Sequence, residues 1–275
     1  MPQKYVEKVS SLAQIRNLPT AAGIGVFGSA LVINHDGLTR TVSAEPKTAI
    51  YVDPDGAVKT LAAAFALVTA TRKNIYMFPG EYVETAQLKW PSISGVNVQG
   101  LDGSGNVVIS GPITVPTLTV NPTCATTFEM FLQNVVLEHT AQVGLEIDNE
   151  LSPTKKLIIH LNGVGFSQVS SGNSIHVTHT GAAAIRIYAK NCNEIEGLVL
   201  FHGTNVDDRV RFYDSVLMGG VTIAEAVAME FTLHGCIVLA GGLAAMHGTV
   251  VQTISGCVYR TDAGVYTELA NAYSA

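Results

Sequence analysis

The amino-acid sequence predicts an all-β chain: a single-stranded right-handed parallel β-helix with an N-terminal capping α-helix and a small N-terminal arm. Three observations predict it. A five-residue pattern recurs through the second half of the chain. Its strands alternate apolar and polar residues, and each copy ends on Asn, Gly or Ser followed by Val or Cys. The copies are 131–135, 160–164, 188–192, 212–216, 232–236 and 253–257, and their last residues fall 20 to 29 residues apart. A drifting period of that size fits coils that stack like on like, each burying one side of its strands against the next.

Within the pattern, Val135, Val164, Cys192, Val216, Cys236 and Cys257 are expected to form an inward ladder. The residues three earlier, Leu132, Leu161, Ala189, Leu233 and Ile254, are apolar too, although positions three apart on a regular strand face opposite ways. A bend at the intervening Asn, Gly or Ser, residue types that tolerate the left-handed conformation, lets both columns point inward. Phe212 turns inward if its coil carries a one-residue bulge. Gln133, Asn162, Lys190, Asp214, His234 and Ser255 form the outward polar column. A leucine-rich horseshoe shares the period but needs an L-x-x-L-x-L-x-x-N spacing that is absent.

Residues 1–46 read as an arm or attachment segment, with a turn at Asn34-His35-Asp36-Gly37. Residues 47–260 form the β-helix. Near its start, Val58, Leu61, Ala62, Phe65, Ala66 and Val68 follow helical spacing, which predicts a capping helix over about 57–72 with Asp55 available as its N-cap. Ile75 to Phe78 is a first strand, and Pro79-Gly80-Glu81-Tyr82-Val83-Glu84 its turn. Gly100, Gly103 and Gly105 read as turn glycines. Residues 261–275 form a tail that caps the last coil or reaches a neighbour.

Asp53-Pro54-Asp55-Gly56, Lys59-Thr60, the strand 75–78 and Pro79 to Glu84 together resemble the opening of the pectin-lyase-like superfamily of β-helix proteins. The resemblance implies that the helix lies across the open end of the coil stack and keeps edge strands from pairing with other molecules. The segment from Ser10 to Pro19, with Gly23 to Ile33 after it, is similar to what precedes the β-helix in phage tailspikes and other virion proteins. That similarity implies docking on a particle.

Composition narrows the functions. Charged residues make up 14% of the 275-residue chain, well under the roughly 25% of an average domain, so part of the surface is expected to be covered by something other than water. A net charge of −6 and the absence of a basic run argue against nucleic acid as a partner. No apolar stretch is long enough for a bilayer and the N-terminus lacks a signal-peptide core, so neither membrane insertion nor secretion is expected. Four cysteines without C-x-x-C spacing read as free thiols in a reducing compartment, three of them on the inward ladder.

Catalytic patterns are sparse. Polysaccharide hydrolysis needs paired carboxylates, and the Gln, Asp and Arg motifs of pectin esterases cannot be placed. Asp207-Asp208-Arg209 is the one dense charged triplet, a weak candidate for glycan contact that reads first as a solvated turn with a local ion pair. Asp53 and Asp55 read as turn and cap residues, and His176 and His179 point to opposite faces of a strand, so no metal or cofactor is assigned. Gly23 to Gly28 matches G-x-G-x-x-G without the strand and helix a dinucleotide site requires.

Phe131, His160 and Tyr188, at one outward position of successive coils and continued by Thr232 and Thr253, form an aromatic stripe that is the leading interface candidate. The sequence thus leads to a non-enzymatic virion protein assembled in the host cytoplasm. It would be a homotrimer that decorates the capsid or joins the tail and contacts the major capsid protein or tail proteins. The alternative is a tailspike-like protein that binds or depolymerises a cell-surface glycan.

Overall fold

The computed structural model describes residues 33–35, 40–42, 49–101, 105–123, 125–140, 142–150, 156–179, 181–202, 205–224, 228–239, 245–246, 250–260 and 264–269. Those from Ala49 onward form a single-stranded parallel β-helix, consistent with the right-handed sense that twisted strands favour in parallel crossovers. The chain visits three faces in turn on each coil. The first face is a nine-stranded sheet running from Ala49–Val52 to Val251–Ser255, and the third is a seven-stranded sheet from Leu88–Lys89 to Ala245–Met246. The second face consists of two four-stranded sheets. Isolated parallel bridges from Phe166 to Ile195 and from Ile195 to Leu217 join them.

Alternation in the sequence becomes alternation in space. In Phe128–Gln133, Phe128, Met130 and Leu132 are buried while Glu129, Phe131 and Gln133 face outward, and Leu157–Asn162 and Ile185–Lys190 repeat the pattern. Inward residues stack on their counterparts in neighbouring coils, as in Leu132 on Leu161 and Leu161 on Ala189. The result is one continuous core from Ile50 to Cys257.

The bend expected between the two inward columns is present on every coil of the pattern. Asn134, Gly163, Asn191, Asp214, Gly235 and Gly256 all have positive φ, between 48° and 65°. Each turns the chain from the first face to the second with a single left-handed residue. One coil corrects the sequence reading by one position. Asp214 rather than Ser215 takes the left-handed turn, so Ser215 is buried in the ladder and Val216 points outward. No bulge is needed, because Phe212 pairs in register between Ala189 and Leu233 and is fully buried. Tyr213, not Asp214, therefore stands in the outward polar column between Lys190 and His234.

Cys192, Cys236 and Cys257 are buried on that ladder. Burial pushes the thiols of Cys192 and Cys236 up to about 11 and about 12, leaving them protonated and inert.

The helix is shorter than its periodicity suggests. Helix α1 spans Leu61–Ala66 and is capped by Thr60, whose hydroxyl accepts from the Ala63 amide, in place of the expected 57–72. Asp55 is not the cap. Its amide donates to the Asp53 carboxylate and Gly56 donates to the Asp53 carbonyl, which makes a tight turn of 53–56. Val58 and Val68 lie outside the helix yet pack on the core, and that packing is why the apolar spacing outruns it. Phe65 meets Trp90 edge-on at 5.3 Å.

The Pro79–Glu84 motif now has a physical basis. Buried Tyr82 donates its hydroxyl to the carbonyls of Phe78 and Val52, tying two coils together. Gly80 lies against Pro54, where a Cβ would come within 2.8 Å of the proline ring. Glu84, also buried, accepts from the Leu61 amide at 2.6 Å and so serves the N-terminus of α1.

Burial raises the Glu84 pKa above its usual value. The folded state therefore holds this proton more tightly than the unfolded chain, so Glu84 makes stability fall as pH rises from about 4.5 through the raised pKa. Glu84→Gln is expected to remove that part of the pH dependence, read as urea midpoints across pH 4 to 7.

Three further expectations meet the structure here. Asn34 and His35 belong to a strand rather than a turn, pairing antiparallel with Thr41 and Arg40. The rest of the 1–46 arm, with the segments 10–19 and 23–28, lies outside the described residues. Gly100 ends a strand instead of making a turn, and it must be glycine there because a Cβ would lie 2.1 Å from the Asn134 carbonyl oxygen of the next coil. Gly105 has positive φ and Gly103 lies outside the described residues. In the tail, Tyr266–Leu269 folds back antiparallel on Cys257–Arg260 and extends the second face.

Candidate interaction face

The first face carries three outward columns. In the middle column, parallel register places Asn97, Phe131, His160, Tyr188, Arg211, Thr232 and Thr253 one above another. The three rings of the expected stripe are stacked. Phe131 and His160 lie 4.6 Å apart and 5° from parallel, and His160 and Tyr188 lie 5.5 Å apart and 19° from parallel. Strand spacing of about 4.8 Å enforces this ladder once aromatic residues occupy one column.

Arg211 continues the ladder, its guanidinium 5.7 Å from the centre of the Tyr188 ring. Burial among the rings lowers the His160 pKa, so the imidazole is neutral at neutral pH and the stripe stays uncharged there. Misplacing one coil by a residue hid Arg211 from the sequence reading, since that alignment put Phe212 where Arg211 stands.

Beside the stripe runs Glu129, Ile158, Arg186, Arg209, Glu230 and Val251. Glu230 binds two cations at once, Arg211 at 2.5 Å and Arg209 at 3.2 Å. The Nε of Arg186 is buried without a hydrogen-bond partner. On the other side, Gln133 donates to Asn97 at 2.8 Å, and His234 and Ser255 are 2.7 Å apart.

Asp207, Asp208 and Arg209 do not form a site. Asp207 is exposed, Asp208 is completely buried, and Arg209 begins a strand of the first face. The solvated turn expected for the triplet is thus corrected at its centre. Asp208 accepts the amides of Ile185 at 2.7 Å and Asn205 at 3.2 Å, and its carboxylate is 3.2 Å from Nε2 of buried His179. Those groups face inward at the corner where the third face returns to the first, and unpaired there they would be costly.

Asn149 completes this buried polar stack. Its amide lies 3.2 Å from the His179 ring and donates to the Ala183 carbonyl at 2.5 Å, while its oxygen accepts the Gly181 amide at 2.6 Å. No shared residue type joins Asn149, His179 and Asp208 in the sequence, although they fall 30 and 29 residues apart, about one coil each. His176, on the strand Asn173–Thr178 that His179 follows, faces outward, while His179 is buried.

Among the described residues, no three His, Cys, Asp or Glu side chains converge as a metal site requires. Neither a protein-family model nor a curated protein matches this chain in sequence.

Proposed function

We propose that this chain is a non-enzymatic structural protein of a bacteriophage virion, a homotrimeric capsid-decoration or tail-associated component that binds its neighbours through the first face. The supporting observation is the stripe of Phe131, His160 and Tyr188, extended by Arg211, on a nine-stranded sheet. Aromatic residues and arginine dominate the energetic centres of protein interfaces, and here they are held rigid by the ladder. The low charge content of the chain accords with a partly covered surface. The order of Lys59-Thr60, helix, strand and Pro79 to Glu84 supports a place in the pectin-lyase-like superfamily. Partners on the particle would be the major capsid protein or tail proteins, and assembly would take place in the host cytoplasm.

Phe131→Glu and Tyr188→Glu each place a carboxylate on the stripe without touching the core. Each is expected to weaken self-association about 100-fold, or about 2.7 kcal/mol, since it deletes an aromatic anchor and puts a carboxylate into the contact. Light scattering reads the result as a trimer falling to a monomer. A wild-type monomer overturns the proposal.

One observation favours a second reading. Stacked rings flanked by arginines are also a platform for a cell-surface glycan, whose sugar faces pack on aromatics and whose hydroxyls accept from guanidinium groups. A panel of bacterial surface polysaccharides screened for binding and for cleavage separates this tailspike-like reading from the first. Binding lost in Tyr188→Glu would favour it.

A further inference from the structure

The second face differs from the first in a way that suits it as its partner. Register aligns outward Val108 with Val136, and outward Val216 with Ile237 and Val258. All five are partly exposed, and Val83 and Met218 next to them are 61% and 37% exposed. An outward ladder of β-branched residues is an apolar sheet face that water covers poorly.

The charges on the second face are acidic. Glu81 and Glu138 stand on its strands, and Glu194 and Glu196 flank its Ile195 bridge. Arg260, at the far end, is the one cation among the outward residues described on this face. The first face presents Arg186, Lys190, Arg209 and Arg211 against Glu129 and Glu230, with Glu230 already bound to two of the arginines.

On one coil the opposite charges stand at one level, and on the next the arginines stand level with aliphatic side chains. Arg186 and Lys190 belong to the same coil as Glu194 and Glu196, and Arg209 and Arg211 to the same coil as outward Val216 and Met218. Two copies set side by side with coils level would bring cations and aromatic rings of one against acids and aliphatic side chains of the other.

We infer that the first face of one protomer binds the second face of a second copy of this chain, a heterologous head-to-tail contact rather than a face paired with itself. Charge complementarity selects this arrangement, since two first faces would bring their arginines together. The size fits as well. Nine strands at about 4.8 Å by about five residues at 3.3 Å give the first face on the order of 700 Å², close to the roughly 800 Å² each partner contributes to a standard interface.

This inference rests on the self-association reading above and adds which surfaces meet. Its test uses two full-length variants, Arg211→Glu on the first face and Glu194→Lys with Val216→Lys on the second, alone and mixed in equal amounts. In a head-to-tail contact each variant spoils one side of every joint, so both are expected to be monomers by light scattering. Mixed, the intact second face of one meets the intact first face of the other, and association is expected to return to at least a dimer.

If wild type is an oligomer and the second-face variant stays one, or the mixture remains monomeric, the head-to-tail contact is overturned and self-association stands. A monomeric wild type overturns both. Circular dichroism of each variant separates lost association from lost fold, and a variant that loses its β signal is replaced by Arg209→Glu or Glu138→Lys, for which the same outcomes apply.

Discussion

Asp208→Ala is expected to lower the stability of the β-helix by about 3 kcal/mol, because it removes a fully buried carboxylate that serves three polar groups at once. Asp208 is fully buried and serves the Ile185 amide, the Asn205 amide and the His179 ring. Removing it leaves two backbone N–H groups and a ring nitrogen without this acceptor at a corner shared by adjacent coils. Asp208→Asn retains one acceptor oxygen and is expected to cost about half as much. Asp207→Ala, one residue earlier but exposed, is expected to change stability by less than about 0.5 kcal/mol. Urea midpoints of the three variants check the order. Equal effects at 207 and 208 would mean that the buried stack does not hold the corner.

Gly100→Ala is expected to cost about 3 kcal/mol, a large penalty for adding one methyl group. Its Cβ would stand 2.1 Å from the Asn134 carbonyl oxygen and 3.1 Å from Val107, and the close obstacle is backbone, not the movable end of a side chain. Relief requires the two coils to separate at the left-handed turn of Asn134, where φ is 53°. Gly105→Ala is the control. Gly105 has φ of 102° with nothing within 4 Å of an added Cβ, so only backbone strain of about 1 to 2 kcal/mol is expected. If the two alanine variants unfold at the same urea concentration, close stacking at Gly100 is not what fixes that position.

The β-helix was legible in the sequence because its rule is local and repeats. An Asn or Gly between two apolar columns marks the corner on five of the six coils of the pattern, and the structure puts a left-handed residue at each of them. The one slip came where two turn-forming residues, Asp214 and Ser215, stand side by side. Local preference cannot choose between them, and the choice is made by burying Phe212 in register with Ala189 and Leu233.

The helix ran long in the reading because Val58 and Val68 are apolar for packing, whereas its actual start is set by the Thr60 hydroxyl and by Glu84, 23 residues on from Leu61. The aromatic stripe was legible as three residues at equivalent positions. Arg211 was not, for want of the correct register.

The buried stack of Asn149, His179 and Asp208 was illegible for another reason. Its members fall 30 and 29 residues apart, near the coil spacing, but they differ in type: Asn149 and His179 lie just past strands of the third face and Asp208 just before a strand of the first, so no shared motif marks them. The acidic and aliphatic character of the second face was also missed, because its outward Val108, Val136, Ile237 and Val258 look in sequence like any other apolar strand residues.

The proposed self-association is read from the mass of the purified wild-type chain by light scattering at moderate salt. The expected result is a single species of three times the 29.0 kDa chain mass, unchanged over a tenfold dilution in the micromolar range. A single species at the mass of one chain across that range would contradict it.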